Sequence, residues 1–154
     1  MPLDPNIQQF VADNPQGVLT TYRRNGKAQM SIVTVRPHRD AIGISITETR
    51  AKFHNLARNP ACSLLISTVD WWSGFIVVDG NAELIHSGNT EPETLRLARR
   101  EIYSATTRRR STGWDEYDKL VDDDRRVAVI LRPDHVYGTA LDPDWPGARI
   151  SGRL

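Results

Sequence analysis

A single cysteine, Cys62, in 154 residues excludes an internal disulfide and any cysteine-built metal cluster. No apolar run approaches the ~20 residues with which a helix crosses a bilayer. The longest, such as residues 75–78, are strand-sized, so no membrane association is expected. An excess of one charge is missing too. Twenty Lys plus Arg against nineteen Asp plus Glu leave +1, which gives no overall field for gathering nucleic acid, and any anion site must be local. Neither a Gly-x-Gly-x-x-Gly turn nor a Gly-x-x-x-x-Gly-Lys-Ser/Thr loop occurs, which argues against pyrophosphate binding in the Rossmann or P-loop manner. The four histidines, His38, His54, His86 and His135, form no H-x-H or H-E-x-x-H pattern, so no metal site is expected. The start, Met1-Pro2-Leu3-Asp4-Pro5, has neither a basic nor an apolar leader region, and the expected address is the cytoplasm.

What is present suits one globular unit: 39% hydrophobic and 25% charged residues, in a chain too short for a cofactor domain plus a separate substrate domain. We expect one domain over residues 1–141 and an irregular tail over 142–154, where two prolines and two glycines fall. Ile7, Phe10 and Val11 suggest a short opening helix. Strand patterns follow at 17–22 and 28–36, joined by Asn25-Gly26, a pair that favours positive φ and signals a hairpin. After a turn at Pro37-His38-Arg39-Asp40, Ile42, Ile44 and Ile46 alternate with Ala41, Gly43 and Ser45 in the clearest period-two strand of the chain.

A short helix comes next, with Thr47 or Thr49 as cap, Phe53, Leu56 and Ala57 as its apolar stripe, and Asn59-Pro60 as its stop. Strands at 61–67 and 74–85, amphipathic helices at 91–105 and 114–121, and a last strand at 126–131 complete the order. Leu95, Ala98 and Ile102 mark the first of those helices, and Trp114, Tyr117 and Leu120 the second. About six strands, mostly in antiparallel hairpins, argue for a mainly β fold: a closed or nearly closed barrel with peripheral helices.

Chemistry concentrates where the isoleucine strand meets the short helix. A helix N-terminus carries a partial positive charge and unpaired N–H groups, yet Arg50 and Lys52 stand there. Either both side chains simply reach into water, or a phosphate sits opposite them and accepts from the backbone, threonine hydroxyls and both cations. Trp71 and Trp72 offer aromatic surface for a flat ring or for a packed interface. Gln29 and Ser31 share one strand face, either for a heterocycle edge or as ordinary outward-facing residues. Arg108-Arg109-Arg110 is read as an anion-tail site or a solvated loop, and Asp122-Asp123-Asp124 as covering a helix end. Cys62, within an apolar strand, reads as a small packed hydrophobe.

These pieces, in order, resemble the flavin/deazaflavin-binding split-barrel family, which is pyridoxamine 5'-phosphate oxidase-like. The residues that carry the likeness are Gly17-Val18-Leu19-Thr20-Thr21, Asn25-Gly26, Gln29-x-Ser31 and Thr49-Arg50-Ala51-Lys52-x-x-Asn55-Leu56-x-x-Asn59-Pro60. Downstream, Gly80-x-Ala82-x-Leu84, Trp114-x-x-Tyr117, Asp124-Arg125-Arg126-Val127 and His135-Val136-Tyr137-Gly138 are similar to its actinobacterial F420H2-dependent reductase branch. The resemblance implies a six-stranded antiparallel split barrel and a homodimer with cofactor at the interface. It also implies hydride transfer from reduced F420 to an electron-poor small organic substrate. By the same resemblance Arg50, Ala51, Lys52, Ser45 and Asn55 bind the cofactor phosphate, Gln29 and Ser31 lie near the ring, and Trp72 comes from the partner chain. The alternatives are an FMN-dependent oxidase or reductase on the same barrel and a non-enzymatic flavin- or haem-binding protein. Residues 40–48 contain no Lys or Arg, which departs from the pyridoxamine-phosphate oxidase pattern of basic residues before this helix.

Overall fold

Alternation of β-branched residues with small or polar ones builds the inner wall of a barrel. The computed structural model describes residues 2–104 and 113–144. Helix α1 (Pro5–Asp13) opens the chain, with Pro5 at its start and the Asp4 carboxylate accepting from Asn6 N–H at 2.8 Å. Six strands follow, interrupted by helices: β1 (Gln16–Tyr22), β2 (Ala28–His38), β3 (Ala41–Thr47), α2 (Ala51–Arg58), β4 (Ala61–Ser67), β5 (Phe75–Ile85), α3 (Pro92–Ser104), α4 (Trp114–Asp123) and β6 (Arg126–Tyr137). They close antiparallel in the order β1-β2-β3-β6-β5-β4, with β4 returning to β1. The mainly β barrel with peripheral helices is therefore as expected.

Ile42, Ile44 and Ile46 meet Leu19, Val33, Val35, Leu64, Ile66, Ile76, Val78, Val127, Val129 and Leu131 inside the barrel. Each buried branched side chain contributes about 1.5–3 kcal/mol of transfer free energy. Val11 of α1 joins this core, with Ile7 and Phe10 packed against it. On the outside, α3 lays Ile102 against Ala41, Ala128 and Ile130.

Four local expectations are corrected. β2 continues through Pro37 to His38, so the turn shrinks to Arg39-Asp40, with Arg39 in the left-handed region at φ 55°. β6 does not end before Pro133 but runs on to Tyr137. The strand absorbs this proline at an irregularity between Asp79 and Gly80, where a missing N–H interrupts the ladder least. Gly80 is required there, since a Cβ would lie 2.1 Å from the Arg132 carbonyl oxygen. In α2, Ala57 is exposed while Phe53 and Leu56 are buried. In α4, Leu120 faces solvent and Val121 is buried, because α4 is packed through the face that meets α3 and β6. The triple arginine at 108–110, and the tail beyond Asp144, lie outside the described residues. No helix among the described residues is long and apolar enough to cross a membrane.

Candidate functional site

The ladder between β2 and β3 is short. It pairs Val35 to His38 with Ile44 to Ala41 and stops. Below it, β2 from Ala28 to Thr34 pairs only with β1, and Ser45, Ile46 and Thr47 of β3 pair only with β6. The barrel is thus parted on one side, with two strand segments forming the lips and α2, which follows directly from β3, crossing at that end.

Gln29 and Ser31 lie on the β2 lip. They occupy the same alternate positions as the buried Val33 and Val35 and stand opposite Thr21 and Leu19 of β1, both fully buried. They are turned inward, which removes the ordinary outward-facing reading: it is Met30 and Ile32 that face solvent. The Gln29 carbonyl oxygen accepts from the Asn55 amide at 2.8 Å, and the same Asn55 amide donates to Thr21 Oγ1 at 3.1 Å. What Gln29 offers a ligand is therefore its amide N–H donors.

Asn55 is buried on α2, and its side-chain oxygen accepts from Arg58 at 3.1 Å, while Arg58 also donates to the Tyr22 carbonyl at 2.7 Å. Its side chain is committed to pinning α2 across the end of the β1–β2 hairpin.

The start of α2 differs from the expected threonine cap. Arg50 occupies the N-cap in an extended conformation, and no side chain caps the helix. The turn from β3 is closed by backbone bonds instead, Arg50 N–H to the Thr47 carbonyl and Phe53 N–H to that of Arg50, each 3.1 Å. The first N–H groups of a helix have no acceptor within it, so those of Ala51 and Lys52 stand at the groove without a side-chain cap.

Positive side chains gather around them. The Lys52 ammonium is held below the ordinary lysine range, first by partial burial, then by the positive charges of Arg50 and Arg126. Arg126 is a site residue that sequence reasoning missed. It lies 74 positions past Lys52 in the chain, and only the register that pairs it with Thr47 brings it here. It shares its charge with Asp124 at 3.6 Å. Ser45 sits two residues before Thr47 on the same side of β3, opposite Ala128. Arg50, Ala51, Lys52, Ser45, Gln29, Ser31 and Asn55 are all carried by the lips and the helix that crosses them.

Trp72 is not brought there. Strand β4 leaves the α2 end at Ala61 and delivers the chain to the opposite end at Ser67, so the loop bearing Trp71 and Trp72 is roughly 20 Å from the groove at ~3.3 Å per residue. Both tryptophans are exposed, Trp72 at 83%. Cys62 is buried, and burial, with Asp79 and Asp134 nearby, pushes its thiol up to about 12, so it stays protonated and inert. Among the described residues no group of three or more His, Cys, Asp or Glu side chains is placed to hold a metal ion.

The same barrel recurs among solved structures. A conserved hypothetical protein of Mycobacterium tuberculosis superposes with a TM-score of 0.72 at 21% identity, over 98% of this chain and 89% of that one. An F420 reductase gives 0.59 at 19% identity, over 87% and 98%. A heme binding protein from Mycobacterium smegmatis gives 0.65 at 20% identity, over 87% of this chain and 52% of that one. At such identities these likenesses speak for the fold alone. The family model for pyridoxamine 5'-phosphate oxidase matches residues 3–140, which spans both lips, the crossing helix and all six strands. The chain belongs to the pyridoxamine 5'-phosphate oxidase family.

Proposed function

We propose that this chain is an F420-dependent reductase that works as a homodimer, passing a hydride to an electron-poor small organic substrate. One observation carries the reading: three cations, Arg50, Lys52 and Arg126, converge on a helix start that no side chain caps. Such a cluster repels itself unless an anion joins it, and a phosphate group supplies the missing charge and accepts the free N–H groups together. The donor set also fits a tricyclic ring with carbonyl edges, because the amide N–H groups of Gln29 and the Ser31 hydroxyl lie on the inward side of the β2 lip. When bound, F420 supplies the hydride from the C5 of its deazaflavin ring. The chain's own part is to hold the phosphate at α2, to orient the ring edge at Gln29 and Ser31, and to leave one ring face open to substrate. Absence of an acid–base dyad is then no objection, with solvent supplying the proton.

The dimer follows from the outside of the barrel. Cross-strand pairs line up Ile32, Val18, Leu65, Val77 and Tyr137 in one row over five strands, with Met30 beside it. Ile32 is 78% exposed, and a row of this kind calls for a cover. A second copy, docked face to face about a two-fold axis, buries it and brings each Trp72 from the far end of one barrel toward the groove of the other. Replacing Ile32 with Glu is expected to weaken dimerisation at least tenfold, read by sedimentation or light scattering across a dilution series. A variant that dimerises like the wild type places the contact elsewhere.

The reading is tested by direct titration with F420 and with FMN, followed by steady-state oxidation of reduced F420 with quinone and nitroaromatic acceptors. Tighter binding of F420 together with turnover is expected. Preference for FMN would move the chain to a flavin oxidase or reductase of the same barrel. Binding without turnover over a broad acceptor panel would make it a carrier.

A further inference from the structure

The loop between β4 and β5 exposes three large apolar side chains, Val69, Trp71 and Trp72, while burying two hydroxyl residues, Thr68 and Ser73. That inverts the usual preference for burial. The cause is Asp70. One oxygen of its carboxylate accepts from the Thr68 hydroxyl and from Ser73 N–H, both at 2.9 Å, and the other accepts from the Ser73 hydroxyl. Backbone bonds complete the knot: Trp71 N–H to the Thr68 carbonyl at 3.0 Å, Trp72 N–H to that of Asp70 at 2.7 Å, and Thr68 N–H to that of Gly74 at 3.1 Å. Trp71 is held at φ 63°, in the left-handed region that a bulky residue avoids without compensation. These bonds favour the ionised carboxylate and hold it below the usual range.

A loop left to itself would relax Trp71 and fold its aromatic rings onto the barrel. Here polar bonding is concentrated beneath the tip, and the rings are held outward. The groove of the same chain lies at the other end of the barrel, so the receiver of a preformed aromatic tip is on another molecule.

We propose that Asp70 is a positioning residue: its carboxylate fixes the 68–74 loop so that Trp72 is presented, already ordered, to the groove of a second copy of this chain. Asp70 touches neither cofactor nor substrate and acts through Trp72, determining how tightly the ring is covered. The inference rests on the dimeric F420 reading above.

The test uses the full chain as a dimer, with F420 and inorganic phosphate as separate probes, and Asp70→Ala, Asp70→Asn, Trp72→Phe and the two Asp70/Trp72 double variants. Ordering lost from a binding surface is lost affinity. Asp70→Ala is therefore expected to raise the Kd for F420 about tenfold and to reduce the quenching of tryptophan fluorescence by the cofactor. Asp70→Asn, which keeps one acceptor oxygen, falls between it and the wild type. Affinity for inorganic phosphate, which engages only the cations, stays within about twofold. Residues that act as a unit are non-additive, so adding either Asp70 change to Trp72→Phe costs less than about twofold more. If Asp70→Ala does not fold, the Asn series gives the same cycle. Equal F420 affinity and quenching in wild type and Asp70 variants would overturn the inference and leave the cofactor reading intact. So would losses that simply add to those of Trp72→Phe, or an equal loss of inorganic phosphate binding. A wild-type dimer that binds phosphate but not F420 would overturn both.

Discussion

Replacing Lys52 with alanine is expected to raise the Kd for F420 by roughly 10- to 100-fold, the loss of one charge-assisted hydrogen bond to a phosphate. The melting temperature should stay within about 2 °C, because the ammonium is only partly buried and its strongest neighbours are the like charges of Arg50 and Arg126. Removing it even relieves repulsion in the empty groove. The same arrangement sets a pH dependence. Lysine must be protonated to attract the anion, and its pKa lies below the ordinary value, so affinity falls as pH rises through that lowered pKa. Bound phosphate pulls the pKa back up, and binding near that pH takes up protons. Arg50 and Arg126 remain charged throughout and keep some affinity at high pH. Fluorescence titrations of F420 at several pH values, on wild type and variant, check both statements. An affinity indifferent to Lys52 would remove the phosphate from this corner.

Asn55→Ala should do the reverse, with its larger effect on the fold. The side chain is buried and serves three partners, Thr21, Gln29 and Arg58. Deleting it leaves the Thr21 hydroxyl and the Gln29 carbonyl without their donor and frees Arg58 from α2. A loss of about 2–3 kcal/mol follows, or a fall of roughly 5–10 °C in melting temperature for a domain of this size. Calorimetry reads it directly, and a shift under about 2 °C would mean that α2 is anchored by Phe53 and Leu56 alone. Because α2 carries the phosphate site, F420 binding should weaken as well, but through looser placement rather than a lost contact.

The sequence disclosed the fold best where one face is buried. Ile42, Ile44 and Ile46 alternate with small residues because one side of β3 forms the barrel wall, and period two marks that arrangement directly. It misled at Pro133, where the habit of ending a strand at proline ignores what Gly80 on the neighbouring strand permits. The basic start of α2 was legible as local spacing, and so were the residues of both lips. Arg126 was not, since nothing in a linear reading says that the first residue of the last strand lies beside Thr47. Asn55 looked available for a ligand, and only the fold shows its amide divided between Thr21 and Gln29. The distance between Trp72 and the groove is likewise a matter of strand direction, invisible in composition or motif.

A sheet that opens anywhere leaves main-chain donors and acceptors along a free margin, the place where stray strands attach and aggregation begins. Closure of β4 onto β1 removes the two outer margins that an open six-stranded sheet would have. The only rows left bare by the parted ladder are the seven residues of the β2 lip and the three of the β3 lip. They turn toward each other beneath a crossing helix rather than out to solvent. The molecule thereby keeps a cleft wide enough for chemistry without displaying a template for fibril growth.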